Sequence, residues 1–547
     1  CTTFINGTTA RPFVRHIYGT PLKTGLEFDC LADIGRIESV HFSPDFWAGS
    51  GLPGAPASGE HEAWLLDEAT GIIVRRIDWS YSCYVRIEGY HIGLALRPGR
   101  HDGHFPNGQS YGFDLAGCRT GVFVEASAYA GYQFTRFSIT DAEIGIHIAS
   151  GASEANSFHS CSIDANVAAI RSDGEAKVSL MSCGIQKGPI RLSGGYLSLI
   201  DSDFAGTSPI HLELRDGVRG ASILGNRFAG PSRIVNRSPF PVLIDHNPIS
   251  ARPLPDYEYR MPSDPRRPVS TDLFVVTDLP YQAVGDGIAD DAPAFQAALT
   301  AAANQGGGTV FVPGGTYRMN SPLVIPGGVE LRGVFDLPHD TKVKGSLLNI
   351  HSGYDNADGT PFIQLEGGSG LRGISFHYPD QIHDENDAVN YGKVPYPYLL
   401  RGLGPDIHVL NLSATIPYQL LDLATHRCDR HYIDYIFSTA LKTGIHVGNG
   451  TTDGQIHNCQ LNPSAYTHAG NYYESIPFDT ADDIHEILWR DATPYLFGDV
   501  TGQVLHQNFV FGGARGFHLV AEGTGGPSGH CLGMGVDQCT IAMLIEQ

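Results

Sequence analysis

The feature that most constrains this fold is a short pattern that recurs along the first half of the chain. Each copy has an apolar residue, two further residues, a small or apolar residue at the fourth place, and an apolar residue two places later. Successive copies are separated by 19 to 24 residues. The fourth-place residues are Phe137, Cys161, Cys183, Ser202 and Asn226.

A repeat of this length predicts a coil made of about three short strands and three turns. A short strand cannot bury its apolar face alone, but stacked coils pair in parallel and share one continuous core. We interpret the recurring cysteines as small residues stacked on similar neighbours, rather than as disulfide or metal ligands. A β-sandwich is the alternative, but it needs hairpin signals at regular strand spacing. The Asn-Gly pairs at Asn6, Asn107 and Asn449 lack that spacing.

The second half of the chain repeats the same pattern around Cys459 and Cys539. The interval from Cys459 to Asn508 is 49 residues, which predicts two coils. The Pro-rich stretch 246–272 separates the two halves and is typical of an extended connector. We therefore predict a first domain over 1–245 that begins inside its own fold, a linker over 246–272, and a second domain over 273–547.

The strongest local motif opens the second half. The run from Asp286 to Asp291 contains Gly-Asp-Gly and Asp-Asp, and an Ala-rich segment with Pro293 follows it. We predict that Asp290 or Asp291 caps a helix, in preference to a calcium site, and that Phe295 and Leu299 lie on the buried side of that helix. A strand is predicted over 309–312. A helix at this place would cover the open end of a stack of coils.

This segment, about 281–333, resembles the opening motif of the pectate lyase superfamily, in its rhamnogalacturonase/epimerase-like branch. The resemblance implies an all-β fold of two tandem right-handed single-stranded parallel β-helices (pectin lyase-like), with a capping helix at the start of the second. Two joined β-helices also resemble glycoside hydrolase family 55, although that likeness rests on architecture more than on a motif.

The formal net charge of −22 repels nucleic acid and anionic membranes, so we expect neither as a partner. The expected partner is a polysaccharide or oligosaccharide, and the negative charge favours a neutral glycan. We expect a secreted monomer, with a trimer as the alternative. No metal ligand and no cofactor is predicted, apart from calcium if the enzyme is a lyase.

The densest group of ionisable residues lies at 422–434. Hydrolysis of a glycan needs paired carboxylates, whereas elimination needs a base beside cations that neutralise a uronate. An ion-pair scaffold that ties neighbouring coils together is an equally good interpretation. The candidate catalytic residues here are Asp422, His426, Asp429, His431 and Asp434, with Arg427 and Arg430 as substrate-binding residues.

A second group surrounds Glu486, our preferred catalytic acid. Trp489, Arg490 and Tyr495 would line a sugar subsite beside it, because aromatic rings stack on sugars and arginine binds polar groups. Tyr396 and Tyr398, at the end of a loop, are further candidates for substrate contacts. For both groups a packed or solvated loop is the simpler alternative.

These observations predict a polysaccharide-cleaving enzyme, with a glycoside hydrolase that uses carboxylate acid/base catalysis as the first hypothesis. A polysaccharide lyase that acts by β-elimination on a uronic-acid glycan is the second. A non-catalytic glycan-binding β-helix, such as a phage tailspike or an adhesin, is the third.

Overall fold

The computed structural model describes residues 3–8, 12–31, 34–101, 103–206, 208–249, 268, 270–336, 345–381, 394–467, 469, 480–522 and 525–546. The chain divides into two compact units, Cys1–Asp256 and Tyr257–Gln547. The boundary between them falls inside the stretch 246–272, and the three-part division predicted above stays a prediction. No helix among the described residues is long and apolar enough to cross a membrane.

Short strands dominate both units, because Val, Ile, Leu and Phe alternate with polar residues over most of the chain. The strands of the first unit are Thr3–Thr8 (β1), Phe13–Gly19 (β2), Thr24–Asp29 (β3), Gly35–Phe42 (β4), Thr70–Val74 (β5), Ile77–Glu88 (β6), Ile92–Leu96 (β7), Pro106–Ala116 (β8), Thr120–Val124 (β9), Tyr132–Thr135 (β10), Ser138–Ile148 (β11), Ala155–His159 (β12), Ser162–Ser172 (β13), Lys177–Met181 (β14), Gly184–Lys187 (β15), Ile190–Ile200 (β16), Asp203–Phe204 (β17), Leu212–Leu224 (β18), Arg227–Phe228 (β19), Ile234–Asn236 (β20) and Val242–Asp245 (β21). Its helices are Asp45–Ala48 (α1) and Glu62–Glu68 (α2).

The second unit is built in the same way. Its strands are Leu273–Val275 (β22), Asp286–Asp290 (β23), Gly308–Val312 (β24), Gly315–Met319 (β25), Leu323–Ile325 (β26), Val329–Gly333 (β27), Ser346–Ile350 (β28), Ile363–Leu365 (β29), Gly370–Arg372 (β30), Ile374–His377 (β31), Tyr398–Gly402 (β32), His408–Ala414 (β33), Gln419–Leu423 (β34), Tyr432–Ser438 (β35), Thr443–Val447 (β36), Thr451–Thr452 (β37), Gln455–His457 (β38), Gln460–Leu461 (β39), Thr493–Phe497 (β40), Val500–Thr501 (β41), Gln503–Leu519 (β42) and Gly529–Ile545 (β43). Its helices are Ala292–Asn304 (α3), Ser464–Thr467 (α4) and Thr480–Asp491 (α5).

All pairings between these described strands are parallel. They form three long ladders in each unit, and β37 and β41 form a separate short pair in the second unit. In the second unit the first ladder runs β22-β24-β27-β30-β33-β35-β38-β42-β43. The second runs β23-β25-β28-β31-β33-β35-β39-β42-β43. The third runs β26-β29-β32-β34-β36-β40-β42-β43. The prediction of stacked parallel strands resembling a β-helix is therefore confirmed.

The core of the second unit lies where inward side chains meet along each ladder. On the first ladder one inward row stacks Val310, Leu331, Leu371, Val409, Ile433 and Ile456, all fully buried. Burying one such aliphatic side chain stabilises a fold by about 1.5–3 kcal/mol. A continuous row therefore binds each coil to the next.

The fourth-place residues of the repeat also stack as predicted. In the first unit the backbone N–H of Cys183 donates to Ser202 Oγ (3.1 Å), and the N–H of Ser202 donates to Asn226 Oδ1 (2.8 Å). The described cysteines are not joined in disulfides. In the second unit the N–H of Cys459 donates to Asn508 Oδ1 (3.0 Å). The prediction of two coils between these residues was wrong: they lie on neighbouring coils, and a long excursion with α4 and α5 accounts for the extra residues.

The predicted helix is present as α3, and Phe295 and Leu299 are fully buried. Asp291 occupies the N-cap position, but its side chain binds the preceding turn instead of the helix. It accepts the backbone N–H groups of Val284 (2.6 Å) and Gly285 (3.2 Å). Asp290 Oδ1 accepts the N–H of Ala292 at the helix start (3.3 Å). Asp290 thus contacts the first residue of the helix, whereas Asp291 makes no side-chain cap, and the preference for capping over calcium stays a prediction.

We expect Asp291→Ala to lower the free energy of unfolding of the second unit by about 1–3 kcal/mol, because a buried carboxylate is removed and two N–H groups of a partly buried turn lose their acceptor. Chemical denaturation of the full chain, followed by tryptophan fluorescence and circular dichroism, measures this change. Asp286→Ala is the matched control: Asp286 also accepts two backbone N–H groups, but in an exposed turn where water replaces it. An equal loss in both variants would contradict the argument.

A buried ion cluster spans three coils of the first ladder. Glu330, Gly370 and His408 occupy the same register position on β27, β30 and β33. His408 Nε2 lies 2.7 Å from Glu330 Oε2, and Arg372 Nη2 lies 2.9 Å from the same oxygen. The histidine ring passes over Gly370, where a Cβ atom would overlap it. Glycine is therefore required at 370 for the cluster to form.

Candidate active site on the third ladder

Three polar residues occupy one outward row on the third ladder of the second unit. Arg401 on β32 pairs in register with Asp422 on β34, which pairs with His446 on β36. Neighbouring strands lie about 4.8 Å apart, so the three side chains form a line along the stack. The residues on either side of each one are buried. Because side chains alternate along a strand, the polar side chain between them points outward. We call Arg401, Asp422 and His446 the polar row.

Asp422 is the fixed point of the polar row. Its Oδ2 lies 2.5 Å from Arg401 Nε and accepts the hydroxyl of Thr425 (2.6 Å). Its Oδ1 accepts the backbone N–H groups of Ala424 and Thr425, both at 2.9 Å. Burial alone would raise the pKa of Asp422, but these hydrogen bonds outweigh it and lower the pKa below its ordinary value. Asp422 is therefore a carboxylate that orients Arg401.

Tyr398 begins strand β32, three residues before Arg401. The Arg401 guanidinium lies 5.9 Å from the centre of the Tyr398 ring. Burial, and then the negative charge of Asp422, raise the pKa of Tyr398 far above its ordinary value. The phenol therefore keeps its proton at neutral pH.

His446 ends the polar row beside a second carboxylate. Its Nε2 lies 3.5 Å from Glu522 Oε1, and about a fifth of its side chain is exposed. A Cβ atom on Gly448 or Gly498 would overlap the Glu522 carboxylate, so glycine on two neighbouring coils leaves room for it. Nε2 makes no hydrogen bond to the described residues at this distance, and a slightly closer approach of the Glu522 carboxylate would fix the tautomer and orientation of the imidazole.

A cationic cleft of about 460 Å³ lies where the strands of the third ladder begin. It is lined by Tyr418, Leu441, Lys442, Ile487, Arg490, Asp491 and Arg515. Lys442 Nζ lies 5.3 Å from the centre of the Tyr418 ring. Three cations face one carboxylate here, and Asp491 is paired with Arg490 (2.7 Å). In a chain with a net charge of −22, this local excess of positive charge favours an anionic ligand.

The predicted group at 422–434 is not brought together in one place. Asp422 belongs to the polar row, whereas Arg427, Asp429 and Arg430 lie in the following turn. Arg427 pairs with Asp429 (2.8 Å), and Asp429 also accepts the N–H of Thr452 on the next coil (2.8 Å). Arg430 pairs with Asp406 on the preceding coil (2.6 Å). These pairs tie neighbouring coils together, as the scaffold interpretation expects.

The remaining members of that group have different surroundings. His426 is exposed in the turn. His431 is fully buried, with Nδ1 2.9 Å from the carbonyl oxygen of Cys428. Asp434 lies on the first ladder, where it accepts the hydroxyl of Tyr432 (3.1 Å) and the amide of Asn458 (2.9 Å). His431 and Asp434 are therefore on a different ladder from Asp422.

The second predicted group is partly on the surface of helix α5. Glu486 is exposed, and Arg490 lines the cationic cleft. Trp489 stacks on His485 with ring centres 5.5 Å apart, and its indole N–H donates to the carbonyl of Gln538 (2.5 Å). The side chains of 480–483 lie outside the described residues.

Two tyrosines predicted to contact sugar are in the core instead. Tyr495 is fully buried, stacks on Phe517 (4.6 Å) and donates its hydroxyl to the carbonyl of Cys459 (3.0 Å). Tyr396 is also fully buried and packs against Tyr378 (4.8 Å). Neither ring can stack on a sugar at the surface, so these two assignments were wrong. Tyr398 remains a candidate, and residues 382–393 of the same loop lie outside the described residues.

Five residues of this region were not predicted from the sequence: Arg401, His446, Glu522, Lys442 and Arg515. A signal for the first two was present: Leu400-Arg401-Gly402 and Ile445-His446-Val447 each set one polar residue within a buried strand, as Leu421-Asp422-Leu423 does. Glu522 carried no comparable signal, because it lies in an irregular segment.

A family model matches the start of the second unit, and two kinds of known protein match parts or all of the chain. Residues 275–356 match the family model described as rhamnogalacturonase A/epimerase, pectate lyase-like. Mannuronan C5-epimerase AlgE1 of Azotobacter vinelandii is 55% identical over 47 residues, which are 9% of this chain and 3% of that protein. Mannuronan C5-epimerase AlgE4 of the same organism is 42% identical over 60 residues, 10% of this chain and 11% of that protein. The chain thus spans a small part of the curated relatives it matches.

Among solved structures, a variant of the PL6 family alginate lyase AlyGC aligns with 99% of this chain and 97% of its own, at 9% identity. The TM-score of 0.24 is too low to support an argument. The likeness to glycoside hydrolase family 55 stays a prediction. Residues 275–356 carry the rhamnogalacturonase A/epimerase, pectate lyase-like motif, and the superfamily resemblance predicted from the sequence is confirmed.

Proposed function

We propose that this protein is a polysaccharide lyase that acts on a uronic-acid glycan, with its active site at the polar row and the adjoining cationic cleft. We further propose that the two units are tandem right-handed β-helices and that α3 covers the first coil of the second. The observation that carries the functional proposal is the alignment of a guanidinium, a carboxylate and an imidazole on three neighbouring strands. Elimination needs such a set: a cation at the sugar carboxylate and a base at the adjacent carbon.

The proposed reaction begins with the uronate carboxylate beside the terminal N–H groups of Arg401. His446 Nδ1 removes the proton from C5, while Glu522 faces Nε2 and stabilises the imidazolium that forms. The electron pair of the C5–H bond becomes the C4–C5 double bond, and the C4–O bond breaks. Tyr398 donates its proton to the departing oxygen. The cleft cations Lys442, Arg490 and Arg515 would bind neighbouring uronates.

Epimerisation at C5 is the second candidate, because curated proteins that match about a tenth of this chain are named mannuronan C5-epimerases. It shares the first proton transfer but returns a proton to the opposite face of C5. The glycoside hydrolase hypothesis has less support, since Glu486 is exposed on α5 and the carboxylates of 422–434 point to different places. Secretion, the monomeric state and the use of calcium stay predictions.

We expect the full chain to produce an unsaturated sugar from a uronate polymer, measured by absorbance of the new double bond. Reducing ends and proton NMR of the same digests separate the three chemistries. Reducing ends without double-bond absorbance would indicate hydrolysis, and inversion at C5 without chain cleavage would indicate epimerisation. A neutral glucan is the substrate control. Activity on the glucan alone would overturn the proposal, as would no change in any polymer.

A further inference from the structure

A polar groove of about 580 Å³ lies on the outer surface of the first unit. Its lining residues are in a different part of the sequence from the proposed active site. Asp164, Asn166, Gln186, Lys187, Arg191 and Ser208 supply its polar lining. They come from three successive coils, because Asp164 pairs in register with Lys187 and Ser208 follows on the next coil. We call this the first-unit groove.

The side chains of the first-unit groove are held in place by the coils beside them. The Lys187 amine donates to Asn166 Oδ1. Arg191 Nη1 donates to the carbonyl of Val167 (3.2 Å), and Arg191 Nε lies 3.4 Å from Glu213 Oε2. These contacts span neighbouring coils, so the two cations are oriented before any ligand arrives. Preorganisation of this kind lowers the entropic cost of binding.

The chemistry of the lining fits an acidic oligosaccharide. Lys187 and Arg191 face the carboxylate of Asp164, and the Glu213 carboxylate outside the lining is shared between Arg191 and Arg215 (3.5 Å), which leaves one cation in excess in a chain whose overall charge is strongly negative. Asn166, Gln186 and Ser208 offer both donors and acceptors for hydroxyl groups. Val167, half exposed, and Ile210 offer apolar surface for the C–H face of a sugar ring.

We propose that the first-unit groove is a second binding site for a uronate oligosaccharide, which it holds without cleaving. Its titratable lining consists of Asp164, Lys187 and Arg191, and it lacks the imidazole of the polar row. The choice of a uronate rests on the proposed function. The coil spacing of about 4.8 Å is comparable to the length of a pyranose unit, so a chain running along the stack meets one coil per sugar.

The test is calorimetric titration of the full chain with an oligouronate longer than the groove, in the His446→Gln background so that the ligand is not consumed. Two sites are expected per chain. Lys187→Gln is expected to weaken one of them roughly tenfold, and Lys187→Arg to retain it, because a charge-assisted contact is lost and restored. Lys177→Gln, an exposed lysine on β14 outside the groove, is the matched control.

The outcomes separate this proposal from the proposed function. One remaining site that Lys187→Gln weakens would support the groove even if no lyase activity exists. Binding that Lys187→Gln and Asn166→Ala leave unchanged would overturn it, as would equal binding of a neutral oligosaccharide of the same length. Absence of any binding would overturn it as well. Thermal unfolding of each variant shows whether a loss of affinity reflects a loss of fold.

Discussion

Replacing Gly370 by alanine is expected to destabilise the second unit by about 1–3 kcal/mol, the typical cost of leaving a buried polar group without a hydrogen-bond partner. The new Cβ atom would overlap the His408 ring, which bridges from β33 to Glu330 on β27. The ring must move away, so the buried Glu330 carboxylate loses its contact with the imidazole and retains its contact with Arg372. Denaturant unfolding, followed by probes in the second unit, measures the loss.

A double-mutant cycle isolates the cause. In a His408→Ala background, Gly370→Ala is expected to cost little, because the ring that the methyl group would overlap is gone. Gly526→Ala is the matched control, since a Cβ atom at 526 meets no neighbour. If Gly370→Ala costs the same with and without the His408 ring, backbone crowding and not the ion cluster explains the loss.

The same cluster gives a pH dependence with a definite sign. Burial would raise the pKa of Glu330, but hydrogen bonds from His408 and Arg372 outweigh it and lower the pKa below its ordinary value of 4.5. A carboxylate with a lowered folded-state pKa stabilises the fold above its unfolded pKa, and that contribution is lost as the pH falls through the folded pKa. We expect Gly370→Ala to reduce this acid-induced loss of stability.

Substituting His446 by glutamine is expected to lower the rate of elimination by about 10²–10⁴-fold, the usual contribution of a general base. Glutamine has a similar size and keeps polar atoms at the partly exposed position, so the fold is expected to survive. Initial rates of double-bond formation measure the effect. Glu522→Gln should cost less, because Glu522 orients the imidazole without receiving the substrate proton.

The control for His446→Gln is His147→Gln in the first unit. His147 also lies beside a carboxylate, with Nε2 2.9 Å from Asp173 Oδ2, and it is similarly exposed. It should leave the rate unchanged. A His446→Gln enzyme with full activity and an unchanged pH profile would remove His446 from the mechanism.

The fold was predictable because its signal is local and repeated. The fourth-place residues mark each coil, and Phe295 and Leu299 mark one face of α3 within a few residues of each other. The same locality misled the search for the site. A strand and the turn after it point in different directions, so the charges from 422 to 434 are close in sequence but lie around different sides of a coil.

The polar row could not be predicted from spacing alone. Arg401 and Asp422 are 21 residues apart, and Asp422 and His446 are 24 apart. Which of these residues align depends on the length of every turn between them, and the next strand in the ladder begins only at Thr493. Which residues of neighbouring strands pair is set by the packing of one coil on the next, and a local sequence pattern does not reveal it.

The direct pairing of β36 with β40 has a consequence for how such a chain tolerates change. Thr443 pairs with Thr493 although α4 and α5 lie between them in the sequence. The order of strands in the ladder therefore does not depend on the length of segments inserted between them. Segments that leave the stack can be lengthened, shortened or exchanged while the rungs keep their order. Arg490 lies on such a segment and His446 on a ladder strand, so under the proposed mechanism substrate specificity and chemistry can change independently.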